Sequence, residues 1–306
     1  MVVVFGSINL DFVAWVPRFV RPGETLAAES FAMHPGGKGA NQALAAARAD
    51  AAVALAGAVG RDAFAAPALD LLRAGGVDVS AVRAVAGPTG IALIEVEAAG
   101  ENRIVIVAGA NASVDASDVP APLLECATVV ILQQEIPAAA NLALATRARA
   151  AGARVLLNAA PARAVDPALL GLVDILVVND TEMRALAAAA ALPAEPAAFS
   201  AAFARRHGGI AVVTLGADGA IAAEPGAGYA LRAPPVAVVD TTGAGDAFVG
   251  ALAAALDRGQ PTRTALAWGV AAGSLACTQH GAQPSLPRAA DIAPLAAVVE
   301  AAITKR

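Results

Sequence analysis

The sequence predicts an α/β protein with one central, mostly parallel sheet and helices on both of its faces. Two observations carry this. Apolar runs of strand length alternate with alanine-rich stretches at helical spacing, as in 53–56 then 61–74, or 129–132 then 138–151. That alternation, with short connections, builds a parallel sheet covered on both sides. The chain is also 58% hydrophobic over 306 residues with a net charge of -5, which suits a large core and excludes a disordered chain.

Residues 2–5 are wholly apolar and read as a buried strand. Asn9 and Asp11 follow, and alternation along an extended segment puts them on one side. Two polar side chains pointing together can hold adjacent hydroxyls, but both residues also favour turns. Segments 12–16, 25–33, 90–96 and 103–107 read as short strands apart from the parallel elements. They are either edge hairpins or a sheet too thin to form its own core.

Gly36 to Asn41 opens a helix over 40–49. The glycines permit close backbone approach, Lys38 is a cation, and Asn41 both donates and accepts. A helix-start turn with a solvated lysine accounts for the same residues. The stretch is not a Walker A loop, lacking its first glycine and terminal Ser/Thr.

Further strands are expected at 154–158, 175–178 and 212–215, with glycine-ended helices at 61–74 and 138–151. Ligands of such sheets bind at the carboxyl ends of strands, where Glu135, Asn158 and Asn179 fall. Asp180 and Glu182 are also ordinary first-turn helix charges. Gly216 to Gly219 reads by itself as a hairpin turn. No Gly-x-Gly-x-x-Gly follows the first strand, which argues against a nicotinamide cofactor.

The stretch 240–248, Asp-Thr-Thr-Gly-Ala-Gly-Asp-Ala-Phe, organises the rest. A strand-type run at 236–239 precedes it and helical spacing at 247–256 follows. The Gly243-Ala244-Gly245 turn is thus expected between a buried segment and a helix N-terminus, a place that suits a phosphate. Asp246 lies in the first helical turn. It is there either as a dipole partner or as an acceptor for the proton of an attacking hydroxyl. Pro261 starts a helix to about 278, and 281–285 ends the ordered pattern.

Mild acidity and 4% aromatics leave no footprint for nucleic acid. Cys126 and Cys277 stand in apolar surroundings and read as buried thiols, without the spacing of a disulfide framework or zinc site. His34, His207 and His280 form no ligand cluster. There is no signal-peptide pattern and no apolar run of the roughly 18 residues that span a membrane. A cytoplasmic protein without membrane contact is expected.

The 240–248 stretch resembles the C-terminal signature of the ribokinase-like (PfkB) carbohydrate kinases. Pro-Gly-Gly-Lys-Gly-Ala-Asn-Gln at 35–42 resembles the N-terminal signature, in the expected order, and the likeness runs from about Val2 to Pro287. It implies a single ribokinase-like domain over 1–306, with lid strands inserted at about 11–34 and 90–107 that cover the sugar and join two subunits as a homodimer. The implied reaction moves the γ-phosphoryl group of ATP to a primary hydroxyl, with D-ribose the first expectation. A kinase of fructose, of a 2-keto-3-deoxy sugar acid or of a nucleoside is the sibling alternative. A non-catalytic sugar-binding protein would be expected to lose Asp246 or a glycine of the turn, and both are present.

By the same resemblance Asp246 is the catalytic base and Gly243, Ala244 and Gly245 form an anion hole. Asn9, Asp11, Gly37, Lys38, Gly39, Asn41, Glu135 and Asp246 hold the sugar. Asn179, Thr214, Gly216, Gly219 and Gly245 contact ATP, and Glu182 organises Mg²⁺ through water. A monovalent cation, K⁺, falls to Asp240, Thr242, Ala276, Gln279, Gly281 and Ser285, several by backbone carbonyl. Two departures stand out. Gln279 and His280 replace a basic pair, and Val270 stands where an Asn or His usually approaches adenine.

Overall fold

The computed structural model describes residues 1–305. Its strands are β1 (Val2–Phe5), β2 (Asn9–Val16), β3 (Ser30–Gly36), β4 (Val53–Gly60), β5 (Asp78–Val85), β6 (Gly90–Glu97), β7 (Asn102–Val107), β8 (Val129–Leu132), β9 (Arg154–Asn158), β10 (Ile175–Asn179), β11 (Ile210–Thr214), β12 (Ala220–Glu224), β13 (Ala227–Leu231) and β14 (Thr304–Lys305). Its helices are α1 (Lys38–Arg48), α2 (Ala65–Ala74), α3 (Ala121–Glu125), α4 (Ala138–Ala150), α5 (Pro167–Leu170), α6 (Asp180–Ala190), α7 (Pro196–His207), α8 (Ala244–Asp257), α9 (Thr262–Ala276), α10 (Ala282–Ser285) and α11 (Ala289–Ala301).

Ten strands form one sheet in the order β14-β13-β12-β11-β10-β9-β8-β1-β4-β5. From β11 to β5 every pairing is parallel, and β12 to β14 add an antiparallel margin. β1 shows why both faces must be covered. Val2 and Val4 enter the core under α1, α2, α8, α9 and α11. Val3 and Phe5 point the other way, into the core under α4, α6 and α7. Side chains of a strand alternate, so an all-apolar strand has no wet face. The chain runs outward from β1 through β4 to β5 on one side, and from β8 to β11 on the other. The crevice at the carboxyl ends of β1 and β8 is therefore the topological switch point, the usual ligand place in such sheets.

Helix α8 lies against α1, buried from Asp246 to Leu256. The contact is made by small side chains. A methyl on Gly250 would lie 2.4 Å from Ala45 Cβ and 2.6 Å from the Ala46 backbone nitrogen. The absence of that methyl brings the starts of both helices to the same crevice.

Five expectations are corrected. Residues 236–239 are not a strand: Pro234 and Pro235 offer no N–H to a neighbour, Val238 is 64% exposed, and Val239 N bonds instead to Cys277 O at 2.8 Å. Helix α2 starts at Ala65, not 61, because Asp62 Oδ1 accepts from the Phe64 and Ala65 nitrogens and makes the preceding turn. Residues 25–29 are not strand, since β3 begins at Ser30 and the preceding loop is held by an Arg18–Glu24 ion pair. Cys126 is exposed at the end of the short α3, and Cys277 is half-buried. The ordered pattern also does not end at 281–285, since α11 follows it, and β5 lies in a stretch to which no element was assigned.

The four outlying strands form one sheet, ordered β3-β2-β6-β7. β2 and β6 pair in parallel and fuse the two hairpins. Among the described residues no helix is long and apolar enough to cross a membrane.

Gly250→Ala tests the α1–α8 approach. Forcing a methyl into such a contact costs about 1–3 kcal/mol, against about 1 kcal/mol gained by alanine in a helix. The urea midpoint should fall with an unchanged slope; a raised midpoint would mean that the two helices separate freely.

Candidate active site

Four chain segments meet at the switch point. After β1, Ser7 donates to Glu135 Oε2 at 2.5 Å. Glu135, in the loop after β8, also accepts from the Lys38 backbone nitrogen at 3.0 Å and so fixes the start of α1. Gly37 caps that helix at φ 87, and a methyl there would meet the Asn9 nitrogen at 2.8 Å. At Gly36 a methyl would sit 2.2 Å from an Asp11 carboxylate oxygen. The two glycines thus let the loop close onto β2, and a residue with a side chain fits at neither place.

From the opposite side α8 brings Asp246. It is 6% exposed. Its Oδ2 accepts from Asn41 Nδ2 and its Oδ1 from Gln42 Nε2, both at 2.9 Å. Burial pushes the Asp246 carboxyl above its ordinary range, while Lys38 and the two amides pull it back. Burial also pushes the Asp11 carboxyl up, to about 7, with Glu135 and Asp246 adding like charge. Lys38 is not the solvated lysine of an ordinary helix start. Burial alone would lower its pKa, but the carboxylates of Asp246, Glu135 and Glu182 outweigh that and raise it. One buried cation is thus shared among carboxylates, and its charge opposes the upward push of burial on Asp246.

Asp11 Oδ1 and Asn41 Oδ1 are buried without a protein hydrogen-bond donor. Two unpaired acceptors in one crevice call for a ligand that brings O–H or N–H groups. Asn9 carries a free amide beside them. Asn111 donates to Asn9 Oδ1 at 2.8 Å and exchanges two bonds with Ile8, so the Asn9 Nδ2 is the end left for a ligand. Asn111 lies in a short turn after β7 and carries no signal in the sequence.

Helix α8 starts three residues earlier than expected, at Ala244, with Gly243 at φ 78 as its cap and no capping side chain. Asp246 is therefore in the first turn, as expected. The Ala244 N–H is engaged by Thr241 O at 3.2 Å and the Ala247 N–H by Gly243 O at 2.8 Å. Ala244 and Gly245 also border an apolar cavity of about 480 Å³. Thr214, Gly216 and Gly219 line it, as does Val270. Cys277, unassigned from the sequence, is on its wall. Asn179 is not on that wall. Its side chain and that of Glu182 cap α6 reciprocally, each accepting from the other's backbone nitrogen at 2.8 and 2.9 Å. Asp180 pairs with Arg184 on the helix surface.

The residues that the resemblance assigns to a monovalent cation divide. Asp240 Oδ1 accepts from Thr242, and its Oδ2 from the Gly281 nitrogen at 2.8 Å, which ties the two loops together. These bonds outweigh burial and hold the Asp240 carboxyl low, so it stays an anion. Gln279 and Ser285 border a second cavity beside Arg48 and Arg288, and the Ser285 hydroxyl donates to Ala282 O. Among the described residues no group of three or more Asp, Glu, His or Cys side chains is arranged to hold a metal ion. Glu182 spends its Oε2 on the cap of α6, and its Oε1 is the atom that a hydrated Mg²⁺ would meet.

The pfkB family carbohydrate kinase model matches residues 1–289. A ribokinase of Haemophilus influenzae is 36% identical over 292 residues, covering 93% of this chain and 94% of that one. The ribokinase structure from Thermotoga maritima superposes with a TM-score of 0.90 at 31% identity, over 96% of this chain and 98% of that one. The Arabidopsis thaliana ribokinase complexed with ribose and ATP gives 0.87 at 33% identity, over 96% and 98%.

The Asp11 shift sets a pH dependence. The unfolded chain loses this proton near 3.8 and the folded protein holds it to about 7. Stability from this group therefore falls as pH rises through that window and stays low above it. Asp11→Asn should gain stability on the parent between those limits, read by denaturant midpoints at either end. A constant difference between the two proteins would refute the raised carboxyl.

Proposed function

The chain belongs to the pfkB family of carbohydrate kinases, and from that premise we propose that it phosphorylates the primary hydroxyl of ribose with ATP. One observation supports this above the others. Gly245 and Asp246 are consecutive, yet Gly245 borders the apolar cavity and Asp246 faces the polar crevice at the switch point. A nucleotide in the cavity and a sugar in the crevice would meet at the start of α8, where the helix favours negative charge.

In this reading Asp11, Asn9, Asn41, Glu135 and Lys38, with the backbone of Gly37 and Gly39, hold the sugar hydroxyls. The unpaired acceptors Asp11 Oδ1 and Asn41 Oδ1 suit hydroxyl donors. Asp246 takes the proton of the attacking hydroxyl as its oxygen bonds to the γ-phosphorus and ADP leaves. The N–H groups at Gly243 and Gly245 stabilise the charge developing on the phosphoryl oxygens. Thr214, Gly216 and Gly219 border the nucleotide, and Asn179, whose Oδ1 caps α6, would offer its Nδ2 to the phosphates. Glu182 would hold Mg²⁺, which when bound would supply charge neutralisation. Asp240 with Thr242, Ala276, Gln279, Gly281 and Ser285 would hold K⁺ near the phosphate turn.

A neutral sugar suits this crevice better than a sugar acid. The side chains around the hydroxyl ligands are three carboxylates against one lysine. Arg103, the cation on β7, pairs in register with Glu95, which puts it on the sheet face opposite Asp11. The four-stranded sheet acts as a lid. Ile104 and Ile106 share the Asp11 face, while Met33, Leu93 and Val105 form an exposed apolar row on the other. A second copy of the chain is the proposed cover for that row and for the unpaired edge of β7.

ATP consumption with Mg²⁺ and K⁺ is to be measured on ribose, fructose, 2-keto-3-deoxygluconate and nucleosides. Ribose should lead, and K⁺ should activate over Na⁺ alone. Asp246→Asn should lower turnover about 10²-fold or more while ribose still binds. Turnover near the parent's would remove Asp246 as the base, and preference for another acceptor would move the substrate assignment. For the assembly, Val105→Asp should convert a dimer into a monomer in sedimentation; a parent that already sediments as a monomer would end the lid-dimer proposal.

A further inference from the structure

Gln42 is fully buried in the first turns of α1 and reaches neither the sugar crevice nor the apolar cavity. Every hydrogen-bonding atom of its amide is nevertheless engaged. Nε2 donates to Asp246 Oδ1 at 2.9 Å and to Asn158 Oδ1 at 3.0 Å, and Oε1 accepts from Gln133 Nε2 at 2.8 Å.

The orientation follows from the sheet. Asn158 Nδ2 donates to the backbone carbonyl of Val177 in β10 at 3.1 Å. A carbonyl only accepts, so Asn158 must turn its Oδ1 toward Gln42. An acceptor there demands the NH₂ end of Gln42, and the same NH₂ has its second N–H left for Asp246. The Oε1 end then needs a donor, which Gln133 supplies. Gln133 is held in turn by Asn141, which donates to its backbone carbonyl at 2.7 Å. The alternative rotation of Gln42 would set acceptor against acceptor at both Asp246 and Asn158.

We propose that Gln42 is a positioning residue for the catalytic carboxylate: a carbonyl of β10, relayed through Asn158 and Gln42, fixes the rotation of Asp246 and keeps its Oδ1 an acceptor. This rests on the reading of Asp246 as the base. Asn41 alone binds only the other carboxylate oxygen and leaves the group free to rotate about that bond. The donor from Gln42 also favours the anion, against the burial that raises this carboxyl.

The test compares steady-state kinetics and pH profiles of Gln42→Met, which removes the donor, and Gln42→Glu, which keeps the shape and adds a like charge. Misplacing a catalytic group by about 1 Å costs up to about 10²-fold, and both variants should lose about 10- to 100-fold in kcat on that scale. KM for the sugar should hardly move. Losing a donor or gaining a neighbouring carboxylate raises the pKa of Asp246, so the acid limb of kcat should move to higher pH in both. Asn158→Ala should cost less, and adding it to Gln42→Met should cost nothing more, because both act on one carboxylate.

Unchanged kcat and acid limb in Gln42→Glu would overturn the proposal even if Gln42→Met fails to fold. So would a loss confined to sugar KM, or full additivity with Asn158→Ala. Asp246→Asn run alongside separates the two levels. An inert Asp246→Asn beside unaffected Gln42 variants sinks the positioning role alone, whereas an active Asp246→Asn removes the base itself and Gln42 with it.

Discussion

Everything in this molecule leads back to a carboxylate held out of water at the start of a helix. Asp246 is almost wholly buried with Asp11 and Glu135 close enough to repel it. Left alone, such a group would take up a proton and lose its use. Lys38 is the counterweight, and it can be so only because Glu135 grips the first backbone nitrogen of α1 and fixes where that helix begins. The amides of Asn41 and Gln42 add to it from the same helix, and burial still leaves the carboxyl above its ordinary range. One short run of sequence, 38–42, thus supplies the cation and both donors.

The supporting architecture is built for close approach. The helices at the crevice meet through alanine and glycine, with Gly250 against Ala45 and Ala46. The first strand passes within contact of α1 because Gly39 has no side chain: a methyl there would lie 2.6 Å from the Ser7 nitrogen. Small residues lose little side-chain entropy on burial and allow helices to lie near one another. They contribute less apolar area per residue, which the ten-stranded sheet offsets by burying both faces of its strands.

Much of this was legible in the sequence, for local reasons. The β1, β8 and β10 runs are apolar at every buried position, β9 is so up to its last residue, Asn158, and Glu135, Asn158 and Asn179 fall at their carboxyl ends because strand length is short and fixed. The glycine turns and Asp246 could be placed at a helix start from spacing alone. What escaped was set by distant partners. Residues 236–239 have strand composition but meet a loop carbonyl instead of a strand, and become a cavity wall. The parallel pairing of β2 with β6 joins segments about 80 residues apart, and no hairpin signal predicts it. Asn111 fixes the amide of Asn9 from about 100 residues away, and an isolated asparagine in a turn advertises nothing. Gln42 stood inside a recognisable motif, but its role depends on Asn158 and Gln133, two other strand ends.

Strand β2 belongs to two worlds. Its first residues, Asn9 and Asp11, sit in the crevice, and its last, Trp15 and Val16, lie out in the four-stranded sheet. At the root Asn9 is flanked in register by Gly36 on one side and Gly90 on the other, a narrow waist without bulky side chains. Because β6 is bonded along the whole length of β2, the crevice and the plate formed by the outer sheet share one strand. A tilt of that sheet about the waist would move Asn9 and Asp11 with it. To the extent that each favours one tilt, a molecule bound at Asp11 and a contact made at the far edge of the plate bias one another by equal free energies. Occupancy of the crevice would then be readable at the far edge of that plate.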